Sequence, residues 1–221
     1  MHRDDLLVEL ANKLNQLQTS HPLCVGIDGI DAAGKTTFAN DLEIKIQELD
    51  RPVIRASLDG FHQPRHIRYA EGNLSPLGYF QDSFDIPSFK KNLLDPLSSS
   101  GNRYIRTAIY DHQKEEKVER ISFQVPERAI LLCDGIFLQR PELVEGWDVT
   151  IFLHISFETS LERALIRDLP FLKSTEVIEK RYRDRYIPAQ KKYLLDYQPD
   201  QNAAILINLE DPTNPILLRN I

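Results

Sequence analysis

The sequence predicts an α/β fold in which a parallel five-stranded sheet is flanked by helices. Five short apolar runs have the length of buried strands, and helical patterns lie between most of them. A glycine-rich turn joins the first run directly to a helical pattern. Strands that alternate with helices are typical of a parallel sheet with helices on its faces. No stretch resembles a linker, so we expect one domain over residues 1–221.

The elements follow in a regular order. Leucines recur at helical spacing over residues 4–18 and predict an amphipathic N-terminal helix. The five apolar runs predict strands at 23–28, 53–58, 129–133, 149–155 and 203–207. Helical patterns cover 35–49, 87–97, 157–167 and 174–197, the last broken near Pro188. The polar and aromatic residues 61–86 predict a long functional loop, and alternation over 103–110 and 118–125 predicts a small β-hairpin excursion.

Composition excludes several classes of protein. The net charge is −6, from 33 acidic and 27 basic residues, whereas proteins that bind nucleic acid by neutralising phosphates usually carry a basic excess. No apolar stretch approaches the length of a membrane span. Two cysteines are too few for a disulfide scaffold or a zinc site. We therefore expect no nucleic-acid partner, no membrane association and a cytoplasmic location.

One motif decides the chemical class. Residues 29–36 read GIDAAGKT and match G-x-x-x-x-G-K-[ST] at every fixed position, between a predicted strand and a predicted helix. In such a loop the backbone N–H groups cradle phosphates, Lys35 reaches the β- and γ-phosphates, and the Thr36 hydroxyl binds Mg²⁺. The motif predicts ATP and Mg²⁺ as cofactors. The expected nucleotide-binding residues are Gly29, Ala32, Ala33, Gly34, Lys35, Thr36 and Thr37.

Two aspartates follow predicted strands directly. Ligands of α/β sheets bind at the carboxyl ends of strands, and Asp59 and Asp134 stand at two such ends. Phosphoryl transfer needs one acidic group near Mg²⁺ and one that takes the proton of the acceptor hydroxyl. We expect Asp134 to serve the metal with Thr36, and Asp59 to be the base. A GTPase is disfavoured, because the one Asn-Lys pair precedes the phosphate loop and continues as Leu-Asn.

Taken together, the motifs resemble those of uridine kinases, in the phosphoribulokinase/uridine kinase family of P-loop kinases. The resemblance covers residues 22–208 and rests on six motifs in the family's order. They are GIDGIDAAGKTT at 26–37, SLDGFH at 57–62, FDIP at 84–87, YDH at 110–112, LLCDGIF at 131–137 and RYRDRY at 181–186. The resemblance implies a P-loop NTPase fold with a helical lid at about 163–175, and uridine kinases are often homo-oligomers.

The resemblance also implies roles for single residues. Asp59 corresponds to the base that activates the acceptor hydroxyl, and Arg167 to a lid arginine near the transferred phosphates; with Lys35 these are the expected catalytic residues. Asp85 and Tyr110 match positions that hold the ribose and the base of a nucleoside. His62, Arg65 and Arg163 complete the expected substrate contacts, because they bring polar and positive groups to the loop after Asp59 and to the lid.

One departure leaves the acceptor open. Uridine kinases usually continue the strand-end aspartate as Ser-Phe-Tyr, whereas this chain continues as Gly60-Phe61-His62, a form that resembles pantothenate kinases. We expect ATP-dependent phosphoryl transfer to a small-molecule hydroxyl, with uridine or cytidine as the first acceptor. Pantothenate, glycerate or a sugar phosphate is the alternative acceptor. The second alternative is a regulatory protein that binds nucleotide without transferring phosphate.

Overall fold

The computed structural model describes residues 2–119 and 121–221. Its strands, in chain order, are β1 (Leu23–Gly29), β2 (Val53–Ser57), β3 (Tyr104–Ile105), β4 (Tyr110–Asp111), β5 (Glu116–Lys117), β6 (Phe123–Gln124), β7 (Ile130–Asp134), β8 (Val149–His154), β9 (Ile205–Asn208) and β10 (Ile216–Arg219). Its α-helices are α1 (Arg3–Gln16), α2 (Lys35–Gln47), α3 (Arg65–Arg68), α4 (Pro76–Asp82), α5 (Ile86–Phe89), α6 (Phe157–Leu172), α7 (Thr175–Arg181), α8 (Ile187–Tyr197) and α9 (Pro199–Asn202). None of these helices has the length and apolar character needed to cross a bilayer.

The central sheet confirms the predicted fold class. Its strand order is β10-β9-β8-β1-β7-β2, and the five strands from β9 to β2 are parallel, as the sequence predicts. A sixth strand, β10, pairs antiparallel with β9 and was not predicted. Ile216 and Leu218 on β10 are more than half exposed, so this strand lacks the buried apolar signature that identifies the other five.

Both faces of the sheet are covered by apolar packing. On one face α1 packs against α2 and buries Leu6, Leu10 and Leu14 at helical spacing. The other face is covered by a second cluster that contains Phe61 and Phe137. Because β1 is buried along its whole length, its carboxyl end and the turn after it have a fixed position. That end of the sheet carries the phosphate-loop motif.

The segment between β2 and β7 contains more helix than the sequence predicts. The expectation of a long loop at 61–86 was wrong, because α3 and α4 form there, and each is too short to produce a detectable helical period. The predicted helix at 87–97 begins at α5 and continues as a π turn (Lys90–Leu94) and a 3₁₀ turn (Asp95–Leu97). The predicted hairpin consists of two short antiparallel ladders, β3 with β6 and β4 with β5.

The C-terminal helices differ from the prediction at their ends. Helix α6 extends to Leu172, beyond the predicted end at 167, and ends where Lys173 adopts a left-handed backbone conformation with φ of 56°. The predicted break near Pro188 is a π turn at Tyr182–Tyr186, which separates α7 from α8. The residues predicted as a lid therefore comprise the second half of α6 and the turn into α7.

Candidate active site

The turn between β1 and α2 has the geometry of an anion cradle. Gly34 precedes α2 with φ of 86°, a left-handed conformation that glycine adopts without a steric penalty, and it caps the helix without a side chain. The N–H groups of the first helical turn, at Lys35–Thr37, therefore have no acceptor within the helix. The Lys35 Nζ folds back onto the carbonyl oxygens of Gly29 (3.0 Å) and Ile30 (2.8 Å). Free N–H groups, a helix dipole and a lysine in one place suit a phosphate chain.

The predicted metal residues lie side by side. The Thr36 hydroxyl donates to Asp134 Oδ2 at 2.7 Å, so its lone pairs remain available. Asp134 is buried at the end of β7, and its other oxygen accepts from Arg55 Nη2 at 2.9 Å. Hydroxyl and carboxylate oxygens are the ligands that Mg²⁺ accepts directly or through water, so this pair fits the cation that accompanies a nucleotide. Arg55 was not predicted as part of the site.

These groups line a cleft of about 330 Å³. Ten of the predicted site residues border it, namely Ala32, Gly34, Lys35, Thr36, Thr37, Asp59, His62, Asp134, Arg163 and Arg167. We call this cleft the phosphate cavity. Residues from both predicted strand ends and from α6 thus meet at the phosphate loop.

The predicted base, Asp59, lies on a 3₁₀ turn directly after β2, and its side chain is accessible to solvent. The ring of His62 packs beside it, and the His62 Nδ1–H donates to the Asp59 carbonyl at 2.9 Å. Burial lowers the pKa of His62 to about 4, against the opposing effect of Asp59. The imidazole is therefore neutral at pH 7, and its Nε2 is a hydrogen-bond acceptor. Its ring stacks on His112, with centroids 4.3 Å apart.

A second cavity of about 650 Å³ adjoins the first. The two share the side chains that separate them: Asp31, Asp59, His62, Tyr79 and Arg167. We call this second space the acceptor cavity. Asp59 borders both spaces, and a base for an incoming hydroxyl has to stand between the phosphates and the acceptor.

The acceptor cavity has four arginines in its wall, and their partners differ. Arg68 is paired with Glu115, and Arg167 is paired with Asp168 at 2.7 Å. The guanidinium of Arg65 lies over the Tyr69 ring at 5.2 Å. Arg65 and Arg181 have no carboxylate partner within the part of the chain that the structure describes. Two arginines thus remain available to a ligand.

Asp31, the third residue of the phosphate loop, is a feature that sequence reasoning missed. Its carboxylate accepts from the Tyr79 hydroxyl at 3.0 Å and from Gln190 Nε2 at 2.8 Å. Burial raises its pKa, and Lys35 opposes that shift. The motif leaves this position free, so only the tertiary contacts with α4 and α8 identify it as part of the wall of both cavities.

No known family model matches the chain, but individual proteins do. A pantothenate kinase of Streptococcus thermophilus is 24% identical over 96% of this chain and 71% of its own length. Uridine-cytidine kinase B of Dictyostelium discoideum is 26% identical over 82% of this chain and 73% of its own length. A solved structure described as a possible uridine kinase from Bacillus stearothermophilus superimposes with a TM-score of 0.73, at 24% identity, over 92% of this chain and 96% of that one.

The chain has the fold of the P-loop kinases. The predicted resemblance to uridine kinases is confirmed at low identity, and pantothenate kinases are equally close relatives.

Four predicted positions line neither of the two cavities. Asp85 caps α5 by accepting from the Ser88 N–H at 3.0 Å, and the Tyr110 hydroxyl donates to Glu115 at 3.1 Å; neither lines the two cavities. Gly29 and Ala33 lie within the phosphate loop and shape the course of its backbone. A Cβ on Gly29 would stand 2.6 Å from the carbonyl oxygen of Leu153, so a larger residue would displace the loop.

The two lid arginines differ in their freedom. Arg163 donates to the carbonyl oxygens of Leu209 (2.9 Å) and Glu210 (3.0 Å), and so fastens α6 to the chain after β9. Arg167 lies one turn further along the helix and is about half exposed. Its Nη2 donates to the Tyr182 hydroxyl at 3.0 Å. Of the two, Arg167 is the more exposed, and its partners Asp168 and Tyr182 are side chains and not backbone carbonyls.

Proposed function

We propose that the protein is an ATP-dependent kinase that transfers the γ-phosphoryl group of ATP to a hydroxyl of a small molecule. One observation carries this proposal: Asp59 borders both the phosphate cavity and the acceptor cavity. The kinase names of its relatives support the same reaction class.

The residues have distinct tasks in this reaction. The N–H groups at the start of α2 and Lys35 hold the phosphates, and Asp59 accepts the proton of the attacking hydroxyl. The bond from the acceptor oxygen to the γ-phosphorus forms as the bond from the γ-phosphorus to the bridging oxygen breaks, and ADP leaves. Thr36, with Asp134 beside it, would hold Mg²⁺, which would supply positive charge at the phosphates. Arg167 adds a further positive charge at the phosphate cavity.

Nucleosides are the first acceptor class. The resemblance to uridine kinases favours uridine and cytidine, and the neutral His62 offers an acceptor nitrogen for a sugar hydroxyl. Asp85 and Tyr110 line neither cavity, so they give this class no additional support.

A second acceptor class is favoured by a specific observation. Arg65 and Arg181 face the acceptor cavity without carboxylate partners in the described ranges 2–119 and 121–221. Unpaired arginines at the wall of a cavity are suited to a carboxylate or a phosphate on the ligand. Pantothenate, glycerate and sugar phosphates combine such an anion with a hydroxyl. This class therefore belongs in the same test as the nucleosides.

The deciding experiment measures ADP release from ATP and Mg²⁺ with a panel of neutral nucleosides and anionic hydroxy compounds. The Asp59→Asn variant keeps the shape of the side chain and removes the base. We expect one acceptor to stimulate turnover, and Asp59→Asn to lower kcat by about 10²–10⁴-fold, the usual contribution of a general base. Unchanged nucleotide binding in the variant would show that the loss concerns chemistry and not folding.

Arginine variants separate the two acceptor classes. With an anionic acceptor, Arg65→Gln and Arg181→Gln should raise KM for the acceptor and leave KM for ATP unchanged. With a nucleoside, neither variant should change KM by more than about twofold. Turnover that no acceptor stimulates, together with tight ATP binding, would instead favour a nucleotide-binding regulatory protein.

A further inference from the structure

Arg55 is a charged residue inside the central sheet that the proposed reaction does not use. It stands in β2, and its side chain is 19% exposed. The guanidinium spans two neighbours at once: Nη1 donates to the Leu132 carbonyl at 2.7 Å, and Nη2 donates to Asp134 Oδ1 at 2.9 Å. Asn40 on α2 accepts from Nη2 at 3.1 Å. Its Nε lies 3.7 Å from Glu43 Oε2, also on α2, so the planar fork is held by β7 on one side and by α2 on the other.

The partner of this fork is the acidic residue of the phosphate cavity. Asp134 is 4% exposed, and both of its oxygens are engaged. Oδ1 faces Arg55, while Oδ2 accepts from the Thr36 hydroxyl at 2.7 Å and lies 3.4 Å from the Ser57 hydroxyl. Because a carboxylate is planar, fixing one oxygen also fixes the direction of the other.

We infer that Arg55 is a positioning residue that acts through Asp134 on Thr36. It holds the carboxylate so that Thr36 must donate its proton to Asp134 and present its lone pairs to the phosphate cavity. It also keeps Asp134 beside the metal position as a hydrogen-bond partner, since an oxygen bound to a guanidinium at 2.9 Å is not free to swing toward a cation. This inference rests on the proposed function.

The charge of Arg55 has a second consequence. A positive group this close to Asp134 reduces the negative potential that a divalent cation meets in the cavity. The site therefore gains a defined orientation of Thr36 and Asp134 at the expense of metal affinity. Removing Arg55 should raise metal affinity and lower the rate, a combination that a merely structural residue would not produce.

The test uses the full chain with ADP and Mn²⁺, which is visible by electron paramagnetic resonance. In Arg55→Met we expect Mn²⁺ to bind about tenfold more tightly in the presence of ADP, with a changed spectrum, because one positive charge beside the cation is removed. With an acceptor present, kcat should fall at least tenfold while KM for ATP changes less than twofold. Unchanged or weaker Mn²⁺ binding would overturn the inference.

Two further variants keep the result interpretable. Arg55→Lys retains the charge but cannot span Leu132 and Asp134 in the same way, so we expect lower kcat with Mn²⁺ affinity close to that of the wild type. Arg51 is the matched control, because it also donates to backbone carbonyls but at the opposite end of β2. Arg51→Lys should lower thermal stability without changing Mn²⁺ binding. A shift in Mn²⁺ affinity in Arg51→Lys equal to that in Arg55→Met would also overturn the inference.

The same measurements distinguish failure of the inference from failure of the proposed function. If the wild-type protein binds neither ADP nor Mn²⁺ with ADP, the proposed kinase is contradicted. If the wild-type protein binds both, and Arg55→Met gives the same Mn²⁺ affinity and spectrum, only the role of Arg55 is contradicted.

Discussion

The buried hydroxyl of Tyr193 links α8 to the phosphate loop, and its removal should cost measurable stability. Tyr193 donates to Asp28 Oδ2 at 2.5 Å and accepts from the Gln139 N–H at 2.9 Å. Asp28 is fully buried at the end of β1, and its Oδ1 accepts from the Gly29 N–H at 2.7 Å. Asp28 therefore braces the end of β1 against Tyr193 and the start of the phosphate loop.

The magnitude follows from the contacts that Tyr193→Phe would remove. Removing a hydrogen bond to a buried carboxyl oxygen costs about 1–3 kcal/mol, and the upper end applies where water cannot replace the donor. In Tyr193→Phe the Gln139 N–H loses the Tyr193 oxygen but keeps Asp28 Oδ2 as an acceptor at 3.3 Å. The loss of this second hydrogen bond therefore adds little to the destabilisation. We expect a loss of about 3 kcal/mol, and a decrease in Tm of about 6–12 °C for a chain of this size.

Urea denaturation and thermal melting of the wild-type protein and of Tyr193→Phe provide the assay. Tyr197→Phe is the matched control, because its ring packs against Tyr193 and its hydroxyl forms no hydrogen bond within the part of the chain described. That control should change stability by less than about 0.5 kcal/mol. Equal losses in the two variants, or a loss below about 1 kcal/mol in Tyr193→Phe, would refute the reasoning.

Two titrating groups lead to further predictions. Burial raises the pKa of Asp28, so above about pH 4 the folded state holds a proton that the unfolded chain releases. Stability should therefore fall as pH rises from about 4 toward the folded-state pKa. Asp28→Asn should abolish this decline in urea titrations. Burial lowers the pKa of His62 to about 4, so the stability that His62 contributes above pH 6.5 should be lost as pH falls from 6.5 to 4. An NMR titration of the His62 ring should show a midpoint near 4, and a midpoint near 6.5 would contradict the burial argument.

The sequence predicts those parts of the site that depend on local chain geometry. The phosphate loop needs only a strand, a glycine-rich turn and a helix in succession, and Asp59 and Asp134 are recognisable because each directly follows a buried run. Asp85 shows the limit of the same reasoning. Its Asp-Ile-Pro-Ser context is also that of a helix cap, and the structure places it there.

The contacts that sequence reasoning missed arise between distant segments. Arg55 meets Asp134 only because β2 and β7 are adjacent and in a register that pairs Ser57 with Asp134. Nothing within either strand encodes that pairing. Asp31 is likewise surrounded by Tyr79 and Gln190, which come from α4 and α8. Such residues are found from strand order and helix packing, which a single sequence does not specify.

The anchoring of α6 limits how the predicted lid could move. Ser160 donates to the Asp31 carbonyl at 2.7 Å, and Arg163 holds two carbonyls after β9, so the first two turns of α6 are tied to the phosphate loop and to the sheet. The helix therefore cannot rotate as a whole about its first residue. Any swing must bend the helix beyond Arg163, in the half that contains Pro170. Arg167 lies about 6 Å beyond Arg163 along the axis, so it is close to the pivot and moves through a short arc, whereas Phe171 near the tip moves furthest.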